Sequence, residues 1–408
     1  MIIRRIESNE LRRYYEMRAL TYHSTYHAPE SAEQIAARAK TAPASREEMA
    51  WQAHYAAFDD DNTTMLGGLA VIPYPVRFDG HECLLAGVGG VATLPPYRRQ
   101  GCIRGCMELA LPDMYRAGAV FSYLFPFSTA FYRKFGYERC TFVMRYRLLI
   151  DLLPDRDFGG RCALILPGAD FTDAVRTVYA QATARTNFSV IPGEYELEWT
   201  KRYDPLQTRE TAYVYFAADG TPKAYMLLRR ERAQDGFLDI LCSRIMFSDA
   251  EGFYGLASLV RSHRADCRRW AFLLPASTAL IPLLPETGLG AVACEARPSG
   301  MVRAVNVMAS LRLARYIGEG TVALGISDAQ IPENNGVFRV RYRGGAAEEV
   351  CRADGTPDAA MDISVFSRLI AGSCTVEALP PGDVTLHAPL EALRGVFYEK
   401  PCFMTEDF

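Results

Sequence analysis

The stretch Val88–Ala110, VGGVATLPPYRRQGCIRGCMELA, decides how the first third of the chain folds. A strand ends near Thr93, a Pro-Pro break follows, and Arg98-Arg99-Gln100-Gly101 opens a helix. Free N–H groups at a helix N-terminus, together with the helix dipole, make an anion site. Gly101 lets the chain pass close to a ligand, and Arg99 and Arg104 can supply charge-assisted contacts. A pyrophosphate is the natural guest of such a cradle. The stretch is neither a P-loop, since GxxxxGKS/T is missing, nor a dinucleotide fingerprint, since GxGxxG is missing. Taken alone, the same letters equally describe an ordinary helix start with solvated arginines. The preceding strand favours the cradle, because Gly89 and Gly90 stand where a strand prefers bulk. That placement marks a bulge or a close backbone approach. A strand splayed in this way can give main-chain hydrogen bonds to an extended ligand and aim an N–H at a developing oxyanion.

Outward from this stretch the pattern is mixed. Ile2–Ile6 is a short apolar opening, Asn9 is placed to cap a helix running through Leu20, and Ser31 begins a second helix signature. MLGGLAVIPYPVRF turns at Asp79-Gly80 and returns as HECLLAGVGGVAT, a hairpin signal. Gly101–Gly118 reads as a helix with Ile103, Met107, Leu111 and Met114 on one face and Pro112 as an interruption. Val120–Phe125 is a buried strand, and FSTAFYRKFGYERCTFVMRYRLLI is a short helix followed by a strand. LLPDRDFGG, Leu152–Gly160, reads as a linker.

A second module repeats this order. Helices around 171–185 and 193–203 precede the hairpin TAYVYFAADGTPKAYMLLRR, which turns at Asp219-Gly220. Strand FLDILCSRIMF, a helix at 249–265 and strand RWAFLLPA follow. The repetition suggests an internal duplication. The helix at 249 opens on FSDAEGFYG, without the arginine pair, and should lack the anion site. In the third stretch, MVRAVNVMASLRLA reads as a helix, GTVALGISDAQIPENNGVFRVRY as a strand meander and MDISVFSRLIAG as another helix. The expected fold class is α/β (α+β), in domains 1–147, 148–293 and 294–408.

Composition narrows the function classes. The 408 residues allow roughly two to three domains. A net charge of −3 gives no basic field for nucleic acid or for an anionic membrane surface. No apolar run is long enough to span a bilayer, and MIIRRIESNE lacks the apolar core of a signal peptide, so the expected location is cytoplasmic. The eleven cysteines are odd in number, scattered and free of CxxC pairs, and the six histidines do not cluster near them. Buried reduced thiols are expected, with no metal site.

VATLPPYRRQGCIRG resembles the acetyl-CoA motif of the GNAT acetyltransferases, Arg/Gln-x-x-Gly-x-Gly/Ala. Ile103 stands at the last position instead of a small residue. That departure, with apolar residues and an arginine after RRxG, is similar to the enhanced intracellular survival (Eis) branch. Members of that branch carry an active GNAT domain, a degenerate one and a third domain similar to sterol carrier protein, which is the module order read above. MVRAVNV, ISDAQIPENNGVF and MDISVFSRLIAG resemble that third domain. The resemblance implies acetyl-CoA as cosubstrate, no metal, a primary-amine acceptor and a homo-oligomer, hexameric in the branch. It places the cosubstrate on Val91, Ala92, Thr93, Arg99, Gln100, Gly101, Cys102, Ile103, Arg104, Phe127 and Ser128.

Acetyl transfer to an amine needs a base for the amine and an acid for the departing thiolate. In the Eis branch the first tyrosine of Tyr-x-x-Phe-Gly-Tyr is the acid, which implies Tyr132 here, with Tyr137 as the local competitor. The base there resembles the C-terminal carboxylate, which implies Phe408. A C-terminus is ordinarily a solvated tail, but KPCFMTEDF carries the apolar anchors Phe403, Met404 and Phe408. If the tail docks, Glu406 and Asp407 make the acceptor pocket acidic and favour polycationic amines of the aminoglycoside, polyamine or lysine type. Tyr22, His23, Tyr26 and His27 lie where GNAT helices roof the acceptor, and equally suit helix packing. Two other readings compete: a lipid or acyl-CoA carrier or sensor, and a regulatory protein-lysine acetyltransferase.

Overall fold

A computed structural model describes residues 1–24, 53–233, 236–288, 290–406 and 408. The helix expected from Ser31 lies outside the described residues. In chain order the first elements are β1 (Ile2–Arg5), α1 (Leu11–Tyr22), β2 (Ala53–Phe58), β3 (Met65–Phe78), β4 (His81–Thr93), α2 (Cys102–Arg116), β5 (Phe121–Leu124), α3 (Thr129–Arg133) and β6 (Glu138–Arg139). The middle of the chain gives β7 (Phe142–Leu149), β8 (Arg161–Leu164), α4 (Thr172–Ala182), α5 (Glu194–Lys201), α6 (Pro205–Thr208), β9 (Thr211–Phe216), β10 (Pro222–Arg232), β11 (Leu238–Phe247), α7 (Ala250–Arg261), β12 (Cys267–Pro275) and β13 (Val292–Pro298). The last part gives β14 (Met301–Ala304), α8 (Val307–Leu313), β15 (Gly320–Ser327), β16 (Gly336–Arg343), β17 (Ala346–Ala353), β18 (Ala359–Asp362), α9 (Ile363–Ile370), β19 (Val384–Leu386) and α10 (Glu391–Arg394).

These elements form two compact units that are not consecutive along the chain. One holds Met1–Cys140, Thr186–Gly193 and Gly300–Phe408; the other holds Thr141–Arg185 and Glu194–Ser299. The first unit contains a seven-stranded sheet in the order β1-β2-β3-β4-β5-β14-β6 and a five-stranded sheet β17-β16-β15-β18-β19. The second is built on β13-β7-β12-β11-β10-β9-β8. Both seven-stranded sheets contain one parallel pair joined by a long helix: β4 and β5 across α2, and β11 and β12 across α7.

Local chemistry explains the elements that were expected. Asp79 and Gly80 adopt φ of 50° and 88° between the paired Phe78 and His81, as a two-residue hairpin turn requires. Helix α2 buries Cys102, Cys106, Met107, Ala110, Leu111 and Met114 and continues through Pro112. Three expectations need correction. Asn9 does not cap α1; it sits in a one-turn 3-10 segment, Ser8–Glu10, closed by Glu7 and Glu10 as a reciprocal capping box. MVRAVNVMASLRLA is not one helix, because Met301–Ala304 pairs between β5 and β6 and only Val307–Leu313 is helical, capped by Asn306. A four-residue segment such as MVRA is too short to show a strand or helix period until its partners are known. The stretch after α3 is likewise two strands in different sheets, β6 in the first unit and β7 in the second.

Candidate active site

Strand β4 is broken where the glycines stand. Between the Gly68–Ala92 and Ala70–Gly89 pairs, Gly90 and Val91 on β4 face the single residue Leu69 on β3, a bulge. Gly90 has φ of 58°, and a Cβ there would lie 2.4 Å from the Tyr14 hydroxyl. Helix α1 pins the bulge: Tyr14 donates to the Gly90 carbonyl at 2.8 Å and Tyr22 donates to that of Val91. The β4–β5 ladder stops at Val88–Leu124, although β4 runs on to Thr93. Residues Gly89–Thr93 are thus freed from β5.

Helix α2 starts beside this segment. Its first residue follows Gly101, left-handed at φ 93° and offering no side-chain cap, and Arg99 is also left-handed at φ 63°. No acidic residue occupies the first turn, which holds Arg104. The N–H groups of that turn have no intrahelical acceptors and carry the positive end of the dipole. A cleft of about 610 Å³ opens here, lined by Val91, Ala92 and Thr93 from β4, by Arg99, Gly101, Cys102, Ile103 and Arg104, and by Phe127. Thr21, Tyr22, Tyr97, Arg98 and Phe131 complete the wall. An uncapped helix end flanked by arginines, beside a strand with free main chain, fits a pyrophosphate with an extended arm.

Tyr132 lies on α3, whose N-cap is Ser128, its hydroxyl accepting the Phe131 N–H at 3.3 Å. Its ring is buried against Phe127 and Phe131, with centroids 5.2 and 5.1 Å away. Burial, and then Tyr137 and Tyr22, push the phenol up. Tyr137 is buried too and is pushed up to about 12 by burial. Its hydroxyl is 2.6 Å from Ser122 Oγ, and Ser122 donates to the Ala86 carbonyl. Phe408 packs its ring on Tyr74, Phe125 and Tyr123 at 5.0, 5.4 and 6.2 Å. A Cβ on Gly87 would lie 2.8 Å from the Phe408 ring, and one on Gly89 would lie 3.0 Å from its main-chain carbonyl carbon. The two glycines make room on one face of β4 for this residue.

Residues 2–140 match the family model described as an acetyltransferase (GNAT) domain, and residues 307–400 match that of a sterol carrier protein domain. The protein is an N-acetyltransferase. Solved structures share its fold over nearly the whole length. A protein of Enterococcus faecalis V583 described as "Probable N-Acyltransferase" is 21% identical, with TM-score 0.82 over 98% of this chain and 97% of its own. Eis1 of Mycobacterium abscessus is 20% identical, with TM-score 0.77 over 100% of both chains. A GCN5-related N-acetyltransferase of Anabaena variabilis ATCC 29413 is 18% identical, with TM-score 0.79 over 99% of both. No curated protein matches the sequence. The chain is thus mixed α/β, with GNAT-fold neighbours along its length and a sterol-carrier-like domain near its end. A GNAT domain implies acetyl-CoA as cosubstrate and an amine as acceptor.

Around this cleft the sequence-derived residues divide. Nine of the eleven cosubstrate candidates line it; Gln100 instead donates to the Pro96 carbonyl, and Ser128 caps α3. Tyr26, His27 and Asp407 lie outside the described residues, and Glu406 is half-buried. Sequence reading missed Tyr14, whose hydroxyl holds the bulge; nothing local distinguishes it from Tyr15. It also missed Arg303 on β14. Arg303 is fully buried, bonds Asp328 through both carboxylate oxygens at 2.7 Å, and donates to the Phe135 carbonyl at 2.6 Å, beneath the Tyr132 turn. No helix among the described residues is long and apolar enough to cross a membrane.

Proposed function

We propose that the enzyme is of the Eis type and moves the acetyl group of acetyl-CoA to a primary amine by direct attack. Tyr132 is the general acid and the Phe408 carboxylate the general base; the acceptor is aminoglycoside-, polyamine- or lysine-like. Acetyl-CoA supplies the thioester carbonyl that the amine attacks. The observation that carries this reading is the seat of Phe408, its main chain against Gly89, next to the bulged residues that lead into the cleft. A carboxylate is a weak base in water, and withdrawal from water strengthens it. Burial keeps the Tyr132 phenol protonated and available as a donor, whereas the Tyr137 hydroxyl is engaged by Ser122. Arg99, Arg104 and the open end of α2 hold the pyrophosphate. The same reading places the enzyme in the cytoplasm as a homo-oligomer.

The test uses untagged protein, acetyl-CoA and a panel of polyamine, aminoglycoside and lysine-peptide acceptors, with product mass read directly. One added acetyl group names the acceptor class, and acetylated peptide selects the protein-lysine reading. Tyr132→Phe should lower turnover about a hundredfold or more and leave acetyl-CoA binding intact; unchanged turnover removes Tyr132 from the acid role. The match of residues 307–400 to a sterol carrier protein domain favours a second reading, a lipid or acyl-CoA carrier. Thermal stabilisation by lipid with no acetylated product selects it.

A further inference from the structure

The chain between α10 and Phe408 meets a buried carboxylate at the β3–β4 turn, the end of that hairpin opposite the bulge. Asp79, at the tip of the β3–β4 hairpin, is buried together with Lys400 and Asn187. One carboxylate oxygen of Asp79 accepts the Lys400 ammonium at 2.5 Å and the Arg315 N–H at 2.7 Å. The other accepts the Asn187 side-chain NH2 at 3.1 Å, and Asn187 Oδ1 in turn takes the Asp79 N–H at 2.8 Å. Lys400 also donates to the Arg315 carbonyl, and its ammonium lies over the Tyr398 ring. Four segments, distant in sequence, meet on one carboxylate. Asp79 and Lys400 are 321 residues apart.

From this point the register of the tail follows. Asn187 donates to the Pro401 carbonyl at 2.8 Å and accepts from Phe403 N–H at 2.9 Å, and Val190 N–H donates to the Thr405 hydroxyl at 3.0 Å. The 187–191 segment is itself laddered onto β3: Arg77 donates to Ser189, Phe188 to Arg77 and Ile191 to Pro75. The tail is therefore indexed to the hairpin through an intervening strand-like segment, with Met404 buried in the same core. Because β3 and β4 are two arms of one hairpin, a fixed offset from Asp79 fixes where Phe408 meets Gly87 and Gly89.

We propose that Asp79, Lys400 and Asn187 are positioning residues that hold Phe408 in register on β4. This rests on the reading of Phe408 as the general base. A catalytic group displaced by about 1 Å can lose a hundredfold in rate, so the clamp acts on turnover and leaves the distant cosubstrate cradle untouched.

The test compares wild type, a Phe408 deletion and Asp79→Asn with Lys400→Met, a pair that removes both charges so that no lone buried charge remains. The readouts are kcat, KM for acetyl-CoA, melting temperature and the rate at which carboxypeptidase A releases Phe408, followed by intact mass. The clamp predicts a kcat loss of at least about tenfold, an unchanged KM for acetyl-CoA and faster release of Phe408. A merely structural role would lower the melting temperature without that split. Wild-type kcat and wild-type release in the double variant, beside an inactive deletion, would overturn the clamp and leave the base reading standing. A fully active deletion overturns the base reading and the clamp's catalytic role with it. Should the double variant fail to fold, Thr405→Val removes the hydroxyl that accepts the Val190 N–H, and the same signature in kcat and release decides the question.

Discussion

Helix α2 follows β4 and precedes β5; helix α7 follows β11 and precedes β12, and each bridges a parallel pair. Their N-termini differ. At α2 the chain enters through a left-handed glycine with no side-chain cap, and the first turn carries Arg104. At α7 the Asp249 carboxylate takes the Gly252 N–H at 2.9 Å, and Glu251 sits in the first turn. Lys223 bridges both carboxylates at 2.8 Å and is pushed up by them. The dipole of α7 is thus already answered by its own side chains, and two carboxylates repel any pyrophosphate brought near. Tyr215 fills the space over that helix, since a Cβ on Gly255 would lie 2.2 Å from its ring. The same order of elements gives an open helix end in one sheet and a capped one in the other, and a few residues at the cap make the difference.

That contrast can be broken by experiment. Arg99→Ala with Arg104→Ala should weaken acetyl-CoA binding about tenfold to a hundredfold through lost charge-assisted contacts. Titration calorimetry checks it, and undiminished affinity would mean the open end of α2 is not the cradle. Gly101→Ala introduces no clash, as nothing lies within 4 Å of a Cβ there. Its backbone stays strained at φ 93°, so binding should fall several-fold and stability by about 1 kcal/mol. Asp249→Ala should cost about 1 kcal/mol of stability as a lost cap, while binding stoichiometry stays at one acetyl-CoA per chain. A second binding event in Asp249→Ala/Glu251→Ala would show that the two carboxylates alone close the α7 site.

The backbone features around the cleft were legible because their signals are local. Asp79-Gly80 marks a turn, a glycine stands where α2 begins and proves left-handed, and the apolar period of α2 reports the face it buries. Gly89 and Gly90 announced themselves as misfits in a strand, and the structure gives each a cause: Phe408 approaches one, and the bulge with its positive φ needs the other. The family resemblance places Ser128 and Gln100 on the cosubstrate, and in the folded chain each side chain bonds a nearby backbone group. The MVRA segment misled because four residues are too few to carry a period that separates strand from helix.

Three kinds of fact stood in the order of residues alone: where strands turn, which helix start carries the arginine pair and which lacks it, and that the tail holds apolar anchors. The partners of those pieces did not. Which sheet takes β7 and which takes β14, that Tyr14 holds the bulge, that Arg303 lies beneath the Tyr132 turn and that Asp79 receives Lys400 emerge only in the folded chain. Backbone conformation follows from sterics within a few residues of each position. Strand pairing and buried charge pairs depend on groups hundreds of residues apart, whose contact repays the chain entropy of bringing them together only once the whole core has closed.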